Sequence, residues 1–114
     1  MTQPRIAVVD DEPITCREIG RILTRQGYEV ETFPDGRSVI ARVQAVGFDL
    51  MICDLRLPDE DGLSVLQQAK RARPEMEVII LTAFSSVDTA VEAIRLGAFH
   101  YVTKPVKAAQ LRDL

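Results

Sequence analysis

Three short apolar runs, Ile6 to Val9, Leu50 to Cys53 and Val78 to Leu81, have strand length and lack the polar alternation of a half-solvated strand. Runs of this kind suit parallel strands buried on both faces. Two further stretches, Tyr28 to Phe33 and Phe99 to Thr103, mix β-branched and aromatic residues with polar ones, as strands at sheet edges do. Between these five candidates the spacing becomes helical. Cys16, Ile19, Ile22 and Leu23 make one apolar stripe, Val39, Ile40, Val43 and Val46 a second, and Val65, Leu66, Ala69 and Ala72 a third. The clearest is Val87, Ala90, Val91 and Ile94. Pro13 suits the first helical position behind Asp11 or Glu12, and Asp35 and Ser86 suit helix starts. Gly27, Gly47 and Gly97 stand where helices should stop. Strands alternating with helices predict a parallel sheet covered on both faces and joined by right-handed crossovers.

Residues 1–114 read as one domain, 46% hydrophobic and 27% charged, large enough to bury a core without a metal or disulfide staple. Val106 to Leu114 would form about two turns of a fifth helix, so the expectation is a domain whose last helix is truncated. No stretch approaches the ~20 apolar residues of a membrane span, and Met1 to Pro4 do not read as a secretory signal. A cytoplasmic protein without membrane contact is expected. Cys16 and Cys53 have neither C-x-x-C nor zinc-finger spacing and read, with Met51, as core. Seventeen acidic and 14 basic residues give a net charge of −3, which argues against direct nucleic-acid contact by this domain.

In open α/β sheets, ligands bind beyond the carboxyl ends of the strands, at the crevice where the winding reverses. Asp10, Asp11 and Glu12 follow the first strand candidate, Asp54 the third, Thr82 the fourth and Lys104 the fifth. In the strand order 2-1-3-4-5, strands 1 and 3 are neighbours, so Asp10 and Asp11 would share a hollow with Asp54. Carboxylates that close need either a proton or a cation. Mg2+ is the economical answer, because it takes oxygen ligands and keeps several waters, whereas no His or Cys cluster offers a softer metal a site. Strand 5 lies about 9.6 Å from strand 3. A lysine stem of roughly 6 Å plus a hydrogen bond of about 2.8 Å nearly closes that gap, bringing Lys104 toward Asp54. With Thr82 presenting a hydroxyl between them, the set makes a phosphoryl-transfer site in which Asp54 is the natural nucleophile.

Taken singly, each residue has an ordinary reading. An acid before Pro13 starts a helix, Asp54 and Thr82 decorate strand ends, and Lys104 is a surface lysine. Arg56, Asp59, Glu60 and Asp61 read as a solvated turn before Gly62, and His100 as a surface residue of an edge strand. The chemical reading rests on the conjunction.

In order along the chain, VVDDE, ICDLRLPDEDG, LTA and YVTKP resemble the receiver domain of bacterial two-component response regulators, from Ile6 to the chain end. The resemblance implies a flavodoxin-like (βα)5 doubly wound sheet, in three layers. It implies that Asp54 accepts a phosphoryl group from a histidine kinase, and that Asp10, Asp11, Asp54 and the backbone carbonyl of Arg56 hold Mg2+. Thr82 and Lys104 would bind the phosphoryl oxygens, and the Lys104–Pro105 peptide would be cis. Tyr101 matches an aromatic switch residue that moves inward as Thr82 turns, altering the surface of helix 4, strand 5 and helix 5. Such a domain promotes its own phosphorylation and dephosphorylation. The stretch TAFSSVDTAVEAIRLGAFHYVTKP is similar to receivers of nitrogen-regulator-type transcription activators, which implies an output domain; whether the active form is a homodimer is left open.

Two other functions compete. A Mg2+-dependent phosphatase of the haloacid-dehalogenase-like group also forms an aspartyl phosphate, but places a D-x-D motif after its first strand where this chain has Asp10, Asp11 and Glu12. A receiver-like interaction module would never be phosphorylated, against which the intact Asp54, Thr82 and Lys104 speak. A flavin binder is disfavoured, since the first β-α turn has no Gly/Ser/Thr-rich phosphate loop.

Overall fold

The computed structural model describes residues 3–83 and 86–104. The five candidate strands are β1 (Arg5–Val9), β2 (Glu29–Phe33), β3 (Leu50–Asp54), β4 (Glu77–Thr82) and β5 (His100–Thr103). They form one parallel sheet in the order β2-β1-β3-β4-β5. Between them run α1 (Pro13–Arg25), α2 (Gly36–Ala45), α3 (Gly62–Ala72) and α4 (Val87–Arg95). The apolar runs are the three central strands and the mixed stretches the two edges, because only a central strand is covered on both faces and paired on both sides. The expected fifth helix and the Lys104–Pro105 peptide lie outside the described residues.

Side chains alternate across the sheet, so each strand feeds two cores. Ala7, Val9, Met51, Cys53, Val78 and Ile80 join residues of α2, α3 and α4 on one side. Ile6, Val8, Ile52, Ile79 and Leu81 meet Cys16, Ile19 and Leu23 of α1 on the other. Both cysteines are free and buried, and burial pushes the Cys53 thiol far above its ordinary pKa, as suits a core residue. Among the described residues, no helix is long and apolar enough to cross a membrane.

Helix ends follow local chemistry. Pro13 opens α1, Asp35 accepts a hydrogen bond from Ser38 N at 2.8 Å to cap α2, and Ser86 accepts one from Thr89 N to cap α4. Gly27 and Gly97 take the left-handed conformation after α1 and α4, with φ of 95° and 106°. Gly47 does not; α2 ends instead as Val46 turns to extended backbone.

Three expectations need correction. The stripe of α4 faces outward: Val87 is 79% exposed and Val91 and Ile94 are about half exposed, while Ala93 is the buried residue. A nine-residue helix bearing both large and small apolar residues has two candidate inner faces, and here the small one packs, with Leu96 beyond it. Ala72, at the end of α3, is likewise exposed. The acids before Gly62 do more than solvate a turn. Asp59 accepts hydrogen bonds from Gly36 N and Arg37 N, both at 2.9 Å, and so holds the first turn of α2 from the β3–α3 loop. Asp61 caps α3 through Leu63 N, and Glu60 takes the Gln68 amide at 2.6 Å.

Hydrogen bonds from the Gly36 amide, and then that of Arg37, favour the charged carboxylate and hold the Asp59 pKa below the usual aspartate range. Its contribution to stability is present above the unfolded aspartate pKa of about 3.9 and is lost as pH falls through the lower folded value. Asp59→Ala is therefore expected to lower the urea midpoint at pH 7, at a cost of about 1 kcal/mol by analogy with a lost helix cap. The gap to the unaltered protein should narrow on acidification below about pH 4. Equal midpoints at pH 7 would show that the clamp carries no net stability.

Candidate functional site

Counting in twos from the core places the reactive side chains. Asp10 continues the face of Ile6 and Val8, Asp54 that of Ile52, and Lys104 that of Val102. All three emerge at the carboxyl ends of neighbouring or near-neighbouring strands on the α1 side of the sheet. Thr82 shares the opposite face with Ile80, and Tyr101 is half-buried there against the core below α2, α3 and α4.

Asp54 and Thr82 prove to be the last residues of their strands rather than the first beyond them. Asp54 pairs with Leu81 and Thr82 with Thr103. Asp10 lies just past β1 but remains tied to the sheet, donating its backbone N–H to Phe33 O at 3.0 Å. The three are buried polar groups, Asp10 2%, Asp54 6% and Thr82 1% exposed, whereas Asp11 stands at the surface.

Lys104 crosses the rim. Its Nζ lies 2.8 Å from Asp10 Oδ2, 3.1 Å from Asp54 Oδ2 and 3.2 Å from Glu12 Oε1. The backbone also orients the acids: Glu12 N donates to Asp10 Oδ1 at 2.9 Å, and Arg56 N to Asp54 Oδ1 at 3.2 Å. Glu12 and Arg56 border the same open hollow of about 190 Å³, with Asp11, Asp54, Thr82 and Lys104. Its contact with Lys104 was not legible from the placement of Glu12 behind two acids.

Positive charge is in short supply. Burial raises the Asp54 pKa, Asp10 adds to the rise, and the Lys104 ammonium and Arg56 amide oppose it without cancelling it. For Lys104, burial works against the ammonium, but Asp10 and Asp54 outweigh it and the pKa rises. One lysine shared among several carboxylates therefore leaves Asp54 undercompensated.

The donor set fits a hard divalent cation. Asp10, Asp11 and Asp54 each offer an oxygen, all within 4.8 Å of one another. Asp10 Oδ2 is buried and, despite its close ion pair with Lys104, receives no aligned hydrogen bond. An acceptor in that condition, beside two more carboxylates, suits an oxygen-liganded ion.

The model of the family described as the response regulator receiver domain matches residues 6–114. The transcriptional regulatory protein ZraR of Salmonella typhimurium is 39% identical over 108 residues, a match covering 95% of this chain. The chain spans only 24% of that protein's length. A receiver domain protein (CheY-like) from Methanospirillum hungatei superposes with a TM-score of 0.94 at 32% identity, over 98% of this chain and 90% of that one. A Burkholderia pseudomallei response regulator, solved with a phosphorylated aspartic acid, calcium ion and citrate, gives 0.91 at 27% identity, over 96% of this chain and 65% of that one.

Two substitutions probe the geometry. A Cβ on Gly62 would collide with the backbone carbonyl of Asp54 and lie 2.7 Å from Leu55 Cα, backbone that cannot yield as a side chain can. Gly62→Ala should cost about 1–3 kcal/mol in urea unfolding and shift the Asp54 and Leu55 amide resonances; a neutral substitution would mean that β3 ends loosely.

Since the raised Asp54 pKa penalises the charged native form, Asp54→Asn should make the metal-free protein more stable at pH 7. That advantage should vanish below the unfolded aspartate pKa of about 3.9. Unfolding in a chelator at both pH values reads this directly, and a less stable variant at pH 7 would contradict it.

Proposed function

The chain belongs to the response regulator receiver family, and on that premise we propose that it is a phosphorylation-dependent switch whose phosphoacceptor is Asp54. The observation that carries this reading is the Lys104 ammonium held between Asp10 and Asp54 at 2.8 and 3.1 Å, beside a third metal-competent acid, Asp11. A phosphoryl group arriving there meets a nucleophile, a cation and an acidic metal cradle at one rim.

Asp10, Asp11 and Asp54, with the backbone carbonyl of Arg56, would hold Mg2+, which when bound neutralises charge on the transferring phosphoryl group. The Arg56 amide holds Asp54 through Oδ1, leaving Oδ2 to accept from the Lys104 ammonium. An Asp54 carboxylate oxygen attacks the phosphorus of a phosphohistidine on a partner histidine kinase. The P–O bond forms as the P–N bond breaks, and the imidazole leaves, taking a proton from solvent as needed. Lys104 pairs with one phosphoryl oxygen and the Thr82 hydroxyl donates to another; hydrolysis of the acyl phosphate by water returns Asp54. These residues position and neutralise, so the domain promotes both steps of its own modification.

The phosphoryl group adds a charge of about −1.5 to −2. Reorientation of Thr82 toward it draws Tyr101 inward from the half-buried place it occupies on β5, and the equilibrium shifts toward a different surface around α4 and β5. The similarity to ZraR supports an output domain in the same polypeptide that regulates transcription.

Incubation with Mg2+ and acetyl phosphate should add one phosphoryl group by intact mass, and Asp54→Asn should add none. Repeated turnover of ordinary phosphate esters would instead identify a phosphatase. No adduct from any small donor or kinase would leave an unphosphorylated interaction module.

A further inference from the structure

Lys104 has a neighbour that the phosphoryl-transfer chemistry does not use. Glu12 Oε1 lies 3.2 Å from Nζ, yet Glu12 stands outside the group of acids whose oxygens converge, Asp10, Asp11 and Asp54. Its side chain is 63% exposed at the mouth of the hollow, while those of Asp10 and Asp54 are closed off below. Glu12 occupies the N-cap position of α1 without its side chain making a capping hydrogen bond, so the carboxylate is left to Lys104. Its backbone is well placed for this: Glu12 N is bonded to Asp10 Oδ1, and Pro13 follows directly.

Asp10 and Asp54, which now contact the ammonium, are also two of the three acids that a divalent cation needs. An ammonium and a dication crowded onto the same carboxylates repel one another, so metal entry has to move the lysine. We propose that Glu12 is a positioning residue for Lys104. It keeps the ammonium at the rim when a divalent cation takes Asp10 and Asp54, so that the lysine stays within reach of a phosphoryl group rather than released to solvent. Metal entry then takes two of the three carboxylate partners of Lys104 and leaves it with Glu12. The inference rests on the metal-site reading above.

Mg2+ affinity, measured calorimetrically for the unaltered protein, Glu12→Gln, Lys104→Ala and the double variant, tests this through binding alone. Exposed pairs are weak, so Glu12→Gln should lower affinity by about two- to fivefold in the presence of Lys104. In the Lys104→Ala background the loss should shrink. A loss equal or larger there would show that Glu12 acts by its own charge on the metal, and no loss in either would show that it does nothing; both overturn the proposal. Because Lys104→Ala leaves buried carboxylates without their cation, which weakens folding, the lysine is also followed in the intact side chain. With Mg2+ saturating, the Lys104 side-chain ammonium resonance should remain observable in the unaltered protein and be lost to rapid solvent exchange in Glu12→Gln. Identical spectra would count against the role, whereas failure of the unaltered protein to bind Mg2+ at all would defeat the metal site itself.

Discussion

One ammonium group, Lys104 Nζ, stands within 3.2 Å of carboxylates from Asp10, Glu12 and Asp54, and the rest of the site follows from the shortfall of positive charge that this sharing leaves. Buried carboxylates are tolerated when paired and hydrogen-bonded. Asp10 and Asp54 have a backbone amide each and a share of one lysine, which leaves Asp54 undercompensated. A resting state balanced in this way suits the proposed role, in which further positive charge and a phosphoryl group would enter together. In the proposed function, the same imbalance that costs stability would drive the chemistry.

What concentrates the charges is the sheet. Side chains alternate, so a residue's face is decided by parity from the core, and strand order decides who its neighbours are. Asp10 and Asp54 come together because β1 and β3 are adjacent, and Lys104 reaches them over β4 from the same face. Much of this was legible in the chain. Uninterrupted apolar runs marked the central strands, the strand-end positions of Asp54, Thr82 and Lys104 marked the rim, and the length of a lysine allowed the crossing. The single-residue extension of β3 and β4 through Asp54 and Thr82 was not, because a polar residue can still pair its backbone while its side chain serves the site.

Other features depend on partners that local pattern does not reveal. Val87, Val91 and Ile94 have ideal helical spacing, but spacing identifies a stripe and not the side on which the sheet lies; Ala93 is the residue that fits against it. Asp59 in a loop of acids looks solvated until α2 is seen to place the Gly36 and Arg37 amides against it, more than twenty positions away. Glu12 behind Asp10 and Asp11 carries no sign of its own until the distal lysine arrives. In each case the deciding contact is tertiary, between residues that neither periodicity nor spacing connects.

The central claim is that Asp10, Asp11 and Asp54 form one divalent-cation site from which Lys104 must withdraw. The most direct measurement is a crystal structure of the protein with Mn2+ standing in for Mg2+, the ion located by anomalous scattering. The account predicts a single strong peak ligated by those three side chains, with Lys104 Nζ moved off Asp10 Oδ2. A peak elsewhere, or a lysine still seated between Asp10 and Asp54 with the metal absent from the hollow, would contradict it.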